Sequence, residues 1–205
     1  MELFYCNIAE FMDIDAAHLL THERRAQMER CIRQKDRAAC LAGGVLMRAV
    51  LGKNYHEHLY FGKHGKPELK NGPFFNLSHS GDYVALCVSS AKIGVDIEKI
   101  GKTPKKVATR YFTEAENAWL LGRGEAAAFY KIWTAKESVM KATGLGFTLH
   151  PASFEVLPII DGEHIINGKA WFLSFLKIDG HQVCICSESV EPLVLKAVGR
   201  AELFI

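Results

Sequence analysis

The sequence predicts an α+β protein of two similar lobes, each a small antiparallel sheet packed by helices, with the active site in the cleft between them. Three observations predict it. Strand and helix signals come in blocks, in the order strand, helices, three strands, helices, strands, and such blocks mark α+β architecture. Apolar residues recur with a helical period in the helix blocks and alternate in the strand blocks. Short turn signals separate successive strands, which is hairpin chemistry. The 205 residues allow one large domain or two small ones. The layout of the first half returns in the second without residue identity, which sets lobes at 1–93 and 94–205.

The elements follow in order. Residues 2–8 read as a short strand and 15–29 as a polar helix. Residues 35–51 are a strong helix, because Ala38, Leu41, Ala42, Val45, Leu46 and Ala49 give a broad apolar face. Gly52 stops it. Residues 53–73 are loop-like, with a short strand at Tyr60-Phe61. Phe74 to His79, Tyr83 to Val88 and Ile93 to Glu98 are three strands joined by tight turns, read as an antiparallel meander. Helix begins at Val107, and Thr113 with Glu116 fits an N-cap that opens a second helix to Leu121. A third helix runs over 124–142 and ends at Gly144. In the tail, strand-like runs at 153–156, 170–175, 183–186 and 194–198 are separated by Asp161-Gly162, Asn167-Gly168 and Asp179-Gly180.

Composition narrows the class. Apolar residues make up 49% and charged residues 23%, values ordinary for a soluble globular protein. The net charge of +2 gives no field suited to nucleic acid. Basic residues crowd one stretch, however: Arg24, Arg25, Arg30, Arg33, Lys35 and Arg37. The six cysteines form no Cys-x-x-Cys pair, and Cys184 and Cys186 share one face of a strand, so no zinc site is expected. No apolar run reaches the roughly 20 residues of a membrane span, and Met1 to Tyr5 has no signal-peptide pattern. Free thiols without an export signal point to the cytoplasm.

Four segments carry chemistry. Asp96 and Glu98 leave the same face of a strand while Ile93, Val95 and Ile97 pack on the other. Two carboxylates that close repel unless a cation sits between them. Trp133, Glu137 and Lys141 recur at i, i+4 and i+8 on one helix face, and an indole on that stripe makes it partly buried. Three carboxylates form a hard oxygen site for Mg²⁺, and neighbouring lysines suit a phosphate. In Asn76-Leu77-Ser78-His79-Ser80-Gly81, adjacent Ser78 and His79 point to opposite faces, which argues against a Ser/His nucleophile pair and leaves both as donors to phosphate oxygens. Gly62-Lys63-His64-Gly65-Lys66-Pro67 is a cationic loop without a Walker pattern, suited to a phosphate, an adenine edge or a plain surface turn.

Together the four segments resemble the 4′-phosphopantetheinyl transferase superfamily, in its surfactin-synthetase-activating branch. The resemblance rests on Gly94-Val95-Asp96-Ile97-Glu98, on Trp133-Thr134-Ala135-Lys136-Glu137-Ser138-Val139-Met140-Lys141 about forty residues later, and on the upstream Gly65-Lys66-Pro67 and Asn76 to Gly81 segments. It covers about residues 20–155. It implies a Mg²⁺-dependent transferase of the holo-[acyl-carrier-protein] synthase type, with Mn²⁺ as the alternative metal. Such an enzyme moves the phosphopantetheine arm of coenzyme A to a serine of an apo acyl or peptidyl carrier protein and releases adenosine 3′,5′-bisphosphate. By the same resemblance Asp96, Glu98 and Glu137 hold the metal, Glu137 is also the general base, and Lys141 meets the pyrophosphate. Ser78 and His79 bond CoA phosphates, Lys66 and Pro67 frame the adenine, and Lys136 touches phosphate or orients its helix. The two-lobe layout implies a monomer.

The sequence departs from the family at one point. Many relatives carry an arginine for the 3′-phosphate early in the long helix, and alignment through Gly44 and Arg48 puts Ala39 there. Arg37 lies nearly opposite on that helix, and Arg24 is the other candidate. The basic residues of 24–37 and Lys102 to Lys106 suit an acidic carrier surface. Two other readings use the same residues: a Mg²⁺-dependent hydrolase of CoA-type pyrophosphates, and a non-catalytic protein that binds CoA or the carrier.

Overall fold

The computed structural model describes residues 1–123 and 126–203. Strand β1 (Glu2–Asn7) is followed by helix α1 (His22–Glu29), capped by the Thr21 hydroxyl, and by helix α2 (Gln34–Leu51). Every residue from Ala38 to Met47 in α2 is buried, and Gly52 ends it with φ +100°, a conformation that a side chain resists. The expected helix over 15–29 is shorter than its polar pattern suggested, because Leu20 leaves helical geometry ahead of the Thr21 cap.

Strands β2 (Leu59–Phe61) and β3 (Pro67–Leu69) form a small hairpin. Strands β4 (Phe74–Ser80), β5 (Tyr83–Ser89) and β6 (Ile93–Lys99) follow. Helices α3 (Lys105–Tyr111), α4 (Glu114–Leu121) and α5 (Ala126–Thr143) come next, α4 with a complete capping box from Thr113 and Glu116. Residues 124 and 125, where the third helix was expected to begin, lie outside the described residues. Strands β7 (Gly162–Ile166), β8 (Lys169–Ile178), β9 (His181–Ser187) and β10 (Val194–Ala197) precede a short helix α6 (Arg200–Leu203).

Two four-stranded sheets result. The first has order β10-β1-β5-β4, antiparallel except for β10, which runs parallel to β1. The second has order β6-β9-β8-β7 and is antiparallel throughout. Both Asn167-Gly168 and Asp179-Gly180 turn with positive φ at each residue, the geometry that fits the right-handed twist of a hairpin.

Two sequence expectations change. The meander of β4, β5 and β6 does not form, because β5 is flanked by β1 and β4 and has no free edge; β6 pairs with β9 instead. The run at 153–156 is not a strand. The Phe154 carbonyl accepts from the buried Lys136 ammonium, and Phe154 and Val156 serve as core plugs. The strands that sequence missed are β3, inside the stretch read as loop, and β7, which begins at Gly162, the residue read as part of a turn.

Alternation sorts the side chains into layers. Leu3, Ala85 and Cys87 of the first sheet meet Val95, Ile97, Val183 and Ile185 of the second in one core. Val84 and Leu86 face α2, whereas Cys184, Cys186, Trp171 and Leu173 pack with the α5 side. All six cysteines are free thiols, and burial pushes Cys6 and Cys87 up to about 12, so neither is a nucleophile at neutral pH. No helix among the described residues is long and apolar enough to cross a membrane.

Candidate active site

The site begins where β4, an edge of the first sheet, runs beside β6, an edge of the second. No backbone ladder joins them. Instead the Val95, Ile97 and Lys99 amides donate to Asn76 Oδ1 (2.8 Å), Ser78 Oγ (3.4 Å) and Ser80 Oγ (3.2 Å). Alternate side chains of β4 thus satisfy alternate amides of β6, and buried donors of this kind need partners.

Helix α5 lies on the other face of β6 and comes closest at Gly94. A Cβ there would stand 2.1 Å from the Ser138 carbonyl oxygen and 2.4 Å from the Ala142 nitrogen. Only glycine permits that approach. Two residues on, Asp96 emerges on the same face, under Lys141. Its Oδ1 accepts from the Lys141 ammonium at 2.6 Å and from Ser78 Oγ at 3.0 Å. Lys141 also donates to Ser78 Oγ at 3.0 Å. Glu98, the next residue on this face, accepts from Ser80 Oγ at 2.6 Å and has the Trp133 indole as a further hydrogen-bond partner. Trp133 leans on Tyr111 and Phe129, so the indole on the Glu137 stripe is both packing and polar contact.

The carboxylates are held against their own repulsion. Asp96 is 3% exposed, and burial raises its pKa although Lys141 and Ser78 oppose the rise. Burial raises Glu98 as well, with the Asp96 charge adding to it. Glu137 is half-buried and rises to about 7, first through burial, then through Asp96 and Glu98. Mutual coupling of this sort marks three acids facing one space. Asp96 Oδ2 is buried and has no hydrogen-bond partner among the described residues. A buried, unpartnered carboxylate oxygen suits a hard divalent cation. Among the described residues no three His, Cys, Asp or Glu side chains stand as a ready-made metal cage. Magnesium asks for less, since one or two carboxylates with substrate oxygens and water complete its shell.

The expected cationic residues are placed differently from one another. His79, an exposed residue, leaves β4 by the face opposite Ser78; partial desolvation, then the Lys141 and Arg24 charges, hold its pKa below the ordinary value. Arg24 lies over α2, where a Cβ on Gly43 would meet its Nη2 at 2.6 Å, and its Nε is buried without a partner among the described residues. Arg37 is exposed and lines a separate cavity with Asp13, Asp15 and Glu29. Lys66 reaches the far end of α5, donating to the carbonyls of Ile93 (2.9 Å) and Ala142 (3.3 Å), and Pro67 opens β3.

Lys136 does not reach the cleft. It is fully buried on the other side of α5, where Glu116 Oε2 (2.8 Å) and the carbonyls of Pro151 and Phe154 (2.7 Å each) take its three N–H donors. The phosphate contact expected of it is closed off, and holding the helix is what remains. Sequence reasoning also missed Ser80, Gly94 and Glu116 as parts of the site and its support. The alternation Asn76-x-Ser78-x-Ser80 signals the first. Glu116 was legible as a cap but not as the partner of Lys136, because that contact is tertiary.

Comparison with known proteins points to one family. The family model for ACPS, the 4′-phosphopantetheinyl transferase superfamily, matches residues 92–186. The chain is 30% identical over 183 residues to the 4′-phosphopantetheinyl transferase Sfp of Bacillus subtilis (strain 168), a match covering 82% of each protein. It is 34% identical over 154 residues to the transferase psf-1 of Bacillus pumilus, covering 70% of this chain and 66% of that one. Among solved structures, Thermotoga maritima holo-[acyl-carrier-protein] synthase overlays with a TM-score of 0.36 and 22% identity, over 47% of this chain and 61% of that one. With a relative at this identity over four fifths of both proteins, the chain belongs to the 4′-phosphopantetheinyl transferase superfamily.

Proposed function

We propose that this protein is a Mg²⁺-dependent 4′-phosphopantetheinyl transferase that moves the phosphopantetheine arm of coenzyme A to a serine of an apo acyl or peptidyl carrier protein. The observation that carries the reading is the convergence of Asp96, Glu98 and Glu137 with Lys141 and Ser78, around a buried Asp96 oxygen that has no partner among the described residues. One chain supplies both sides of this seam, so a monomer suffices; the first lobe is residues 1–93 completed by β10 and α6, which return to β1 and the α2 core, so the expected second lobe of 94–205 loses its C-terminal segment to the first.

Asp96, Glu98 and Glu137 are the residues to hold the metal. Bound there, Mg²⁺ neutralises the pyrophosphate and orients it for in-line transfer. Glu137 faces the same space as the metal-holding acids and is the carboxylate proposed to take the serine proton; its rise to about 7 belongs to the metal-free site, and a bound cation would draw it down. The serine oxygen bonds to the β-phosphorus and the bond from that phosphorus to the bridging oxygen breaks. The proton passes to Glu137, and adenosine 3′,5′-bisphosphate leaves with the electron pair. Lys141 balances charge on the pyrophosphate, and Ser78 fixes Lys141 and Asp96 relative to each other. Arg24 is the better candidate than Arg37 for the 3′-phosphate, because its guanidinium lies over Gly43 of α2 and its charge acts on the His79 ring, whereas Arg37 lines a separate cavity.

The test is to incubate the protein with CoA, Mg²⁺ and an apo carrier protein and to weigh the carrier by mass spectrometry. A gain of one phosphopantetheine group supports transfer. CoA cleavage with an unmodified carrier points to the hydrolase, and CoA binding without either reaction points to the binder. Glu137→Ala is expected to abolish transfer and Asp96→Ala to weaken its Mg²⁺ dependence; near-wild-type rates in both would sink the assignment.

A further inference from the structure

We infer that Lys66 is a positioning residue for the transfer reaction, one that seats the catalytic half of the site by holding the end of α5 and the start of β6 together, instead of a direct ligand of coenzyme A. The inference rests on the proposed transferase reading.

The geometry is specific. The Lys66 ammonium donates to the Ile93 carbonyl at 2.9 Å and to the Ala142 carbonyl at 3.3 Å. Ile93 is the first residue of β6, three before Asp96. Ala142 follows Lys141 directly and belongs to the last turn of α5, whose carbonyls have no partner within the helix. A cation at a helix C-terminus also meets the negative end of the helix dipole. The stem of Lys66 lies against the helix stop: a Cβ on Gly144 would find Lys66 Cδ at 3.5 Å. Lys66 therefore spans the two segments whose tips, Asp96 and Lys141, make the 2.6 Å ion pair of the site. It does so from a separate loop, the one between β2 and β3.

Stability alone does not account for this ammonium. Burial draws Lys66 down to about 8, so the folded protein holds it charged at neutral pH at a cost to folding. A half-buried ammonium whose two bonds join the two catalytic segments is explained by what it positions.

A ligand role and a positioning role separate in two measurements. The first uses the wild-type protein: reductive methylation with labelled formaldehyde, read by peptide mass spectrometry, with Lys63 of the same loop as the exposed reference. A positioning Lys66 is modified at least tenfold more slowly than Lys63, to the same extent with and without saturating CoA. A CoA ligand is modified readily in the free protein and protected by CoA, which would overturn the inference. The second compares wild type with Lys66→Met. The expected result is a kcat at least tenfold lower, CoA affinity by calorimetry within twofold of wild type, and a melting temperature no lower than wild type by more than a few degrees. A tenfold loss of CoA affinity with kcat preserved, or no change in either, would overturn it. If wild type transfers nothing, the transferase reading has failed on its own. Faster amide hydrogen exchange in the last turn of α5 of Lys66→Met then still supports the clamp, and unchanged exchange refutes it.

Discussion

Replacing Lys136 with methionine is expected to destabilise the protein by about 3–5 kcal/mol, the range for removing one member of a buried ion pair. The structure gives the reason. Lys136 and Glu116 are both 0% exposed, so methionine leaves the Glu116 carboxylate in the core without its cation. For a chain of this size that corresponds to a fall in melting temperature of roughly 6–20 °C, at about 2–4 °C per kcal/mol. The second half of the argument is sharper. A simple buried pair is often replaced by apolar residues without loss. Here the pair also serves main-chain groups: Lys136 donates to the Pro151 and Phe154 carbonyls, and Glu116 accepts from the Thr113 and Val156 amides. Each such group costs about 1–3 kcal/mol if buried without a partner. The double variant Lys136→Met with Glu116→Leu is therefore expected to remain at least about 3 kcal/mol below wild type. Urea unfolding followed by tryptophan fluorescence and far-UV circular dichroism measures both variants. A double variant within about 1 kcal/mol of wild type would refute the reasoning, because the network would then be an ion pair and nothing more.

Gly94→Ala is expected to push α5 off β6 and to lower kcat by about 100-fold or more, since a 1 Å displacement of catalytic groups has that scale; a rate within threefold of wild type would contradict the close approach. Arg24→Ala is expected to raise the KM for CoA by roughly tenfold, the loss of one charge-assisted contact, and Arg37→Ala to leave it unchanged; steady-state kinetics with dephospho-CoA as control decides between them. The stability of wild type relative to Lys66→Met is expected to rise with pH between about 8 and 10.5. The folded pKa lies below the unfolded value, so the unfolded chain binds more protons there, and the slope is at most about 1.4 kcal/mol per pH unit. Urea midpoints at pH 7.5, 8.5 and 9.5 test the sign, and a falling difference would refute it.

Local signals carried far in this sequence. The Thr113–Glu116 cap, the end of α2 at Gly52 and the turns at Asn167-Gly168 and Asp179-Gly180 depend on neighbours a few residues away, and each was legible, though the strand β7 before the first of these turns was not. The pairing of β6 with β9 was not, because it depends on which edge of β5 is free, a fact settled by β1 some eighty residues upstream. The same division holds at the site. Asp96, Glu98 and the Glu137–Lys141 stripe follow from periodicity, which assigns faces. The burial of Lys136, the reach of Lys66 to the end of α5 and the bond from Ser80 to Glu98 are contacts between distant segments, and spacing along the chain is silent about them.

The seam of Asn76, Ser78 and Ser80 against β6 bears on how this protein tolerates insertions and deletions. Backbone ladders are blind to residue identity, so the pairing of β4 with β5 survives a one-residue slip wherever side-chain packing allows. The seam does not. A slip of one residue presents Leu77 and His79 to the Val95, Ile97 and Lys99 amides, and none of the three amides then finds its oxygen. A single residue gained or lost between Asn76 and Ser80 erases the seam while leaving each sheet able to fold. Alignments and libraries of this chain should therefore show gaps outside that five-residue window and none within it.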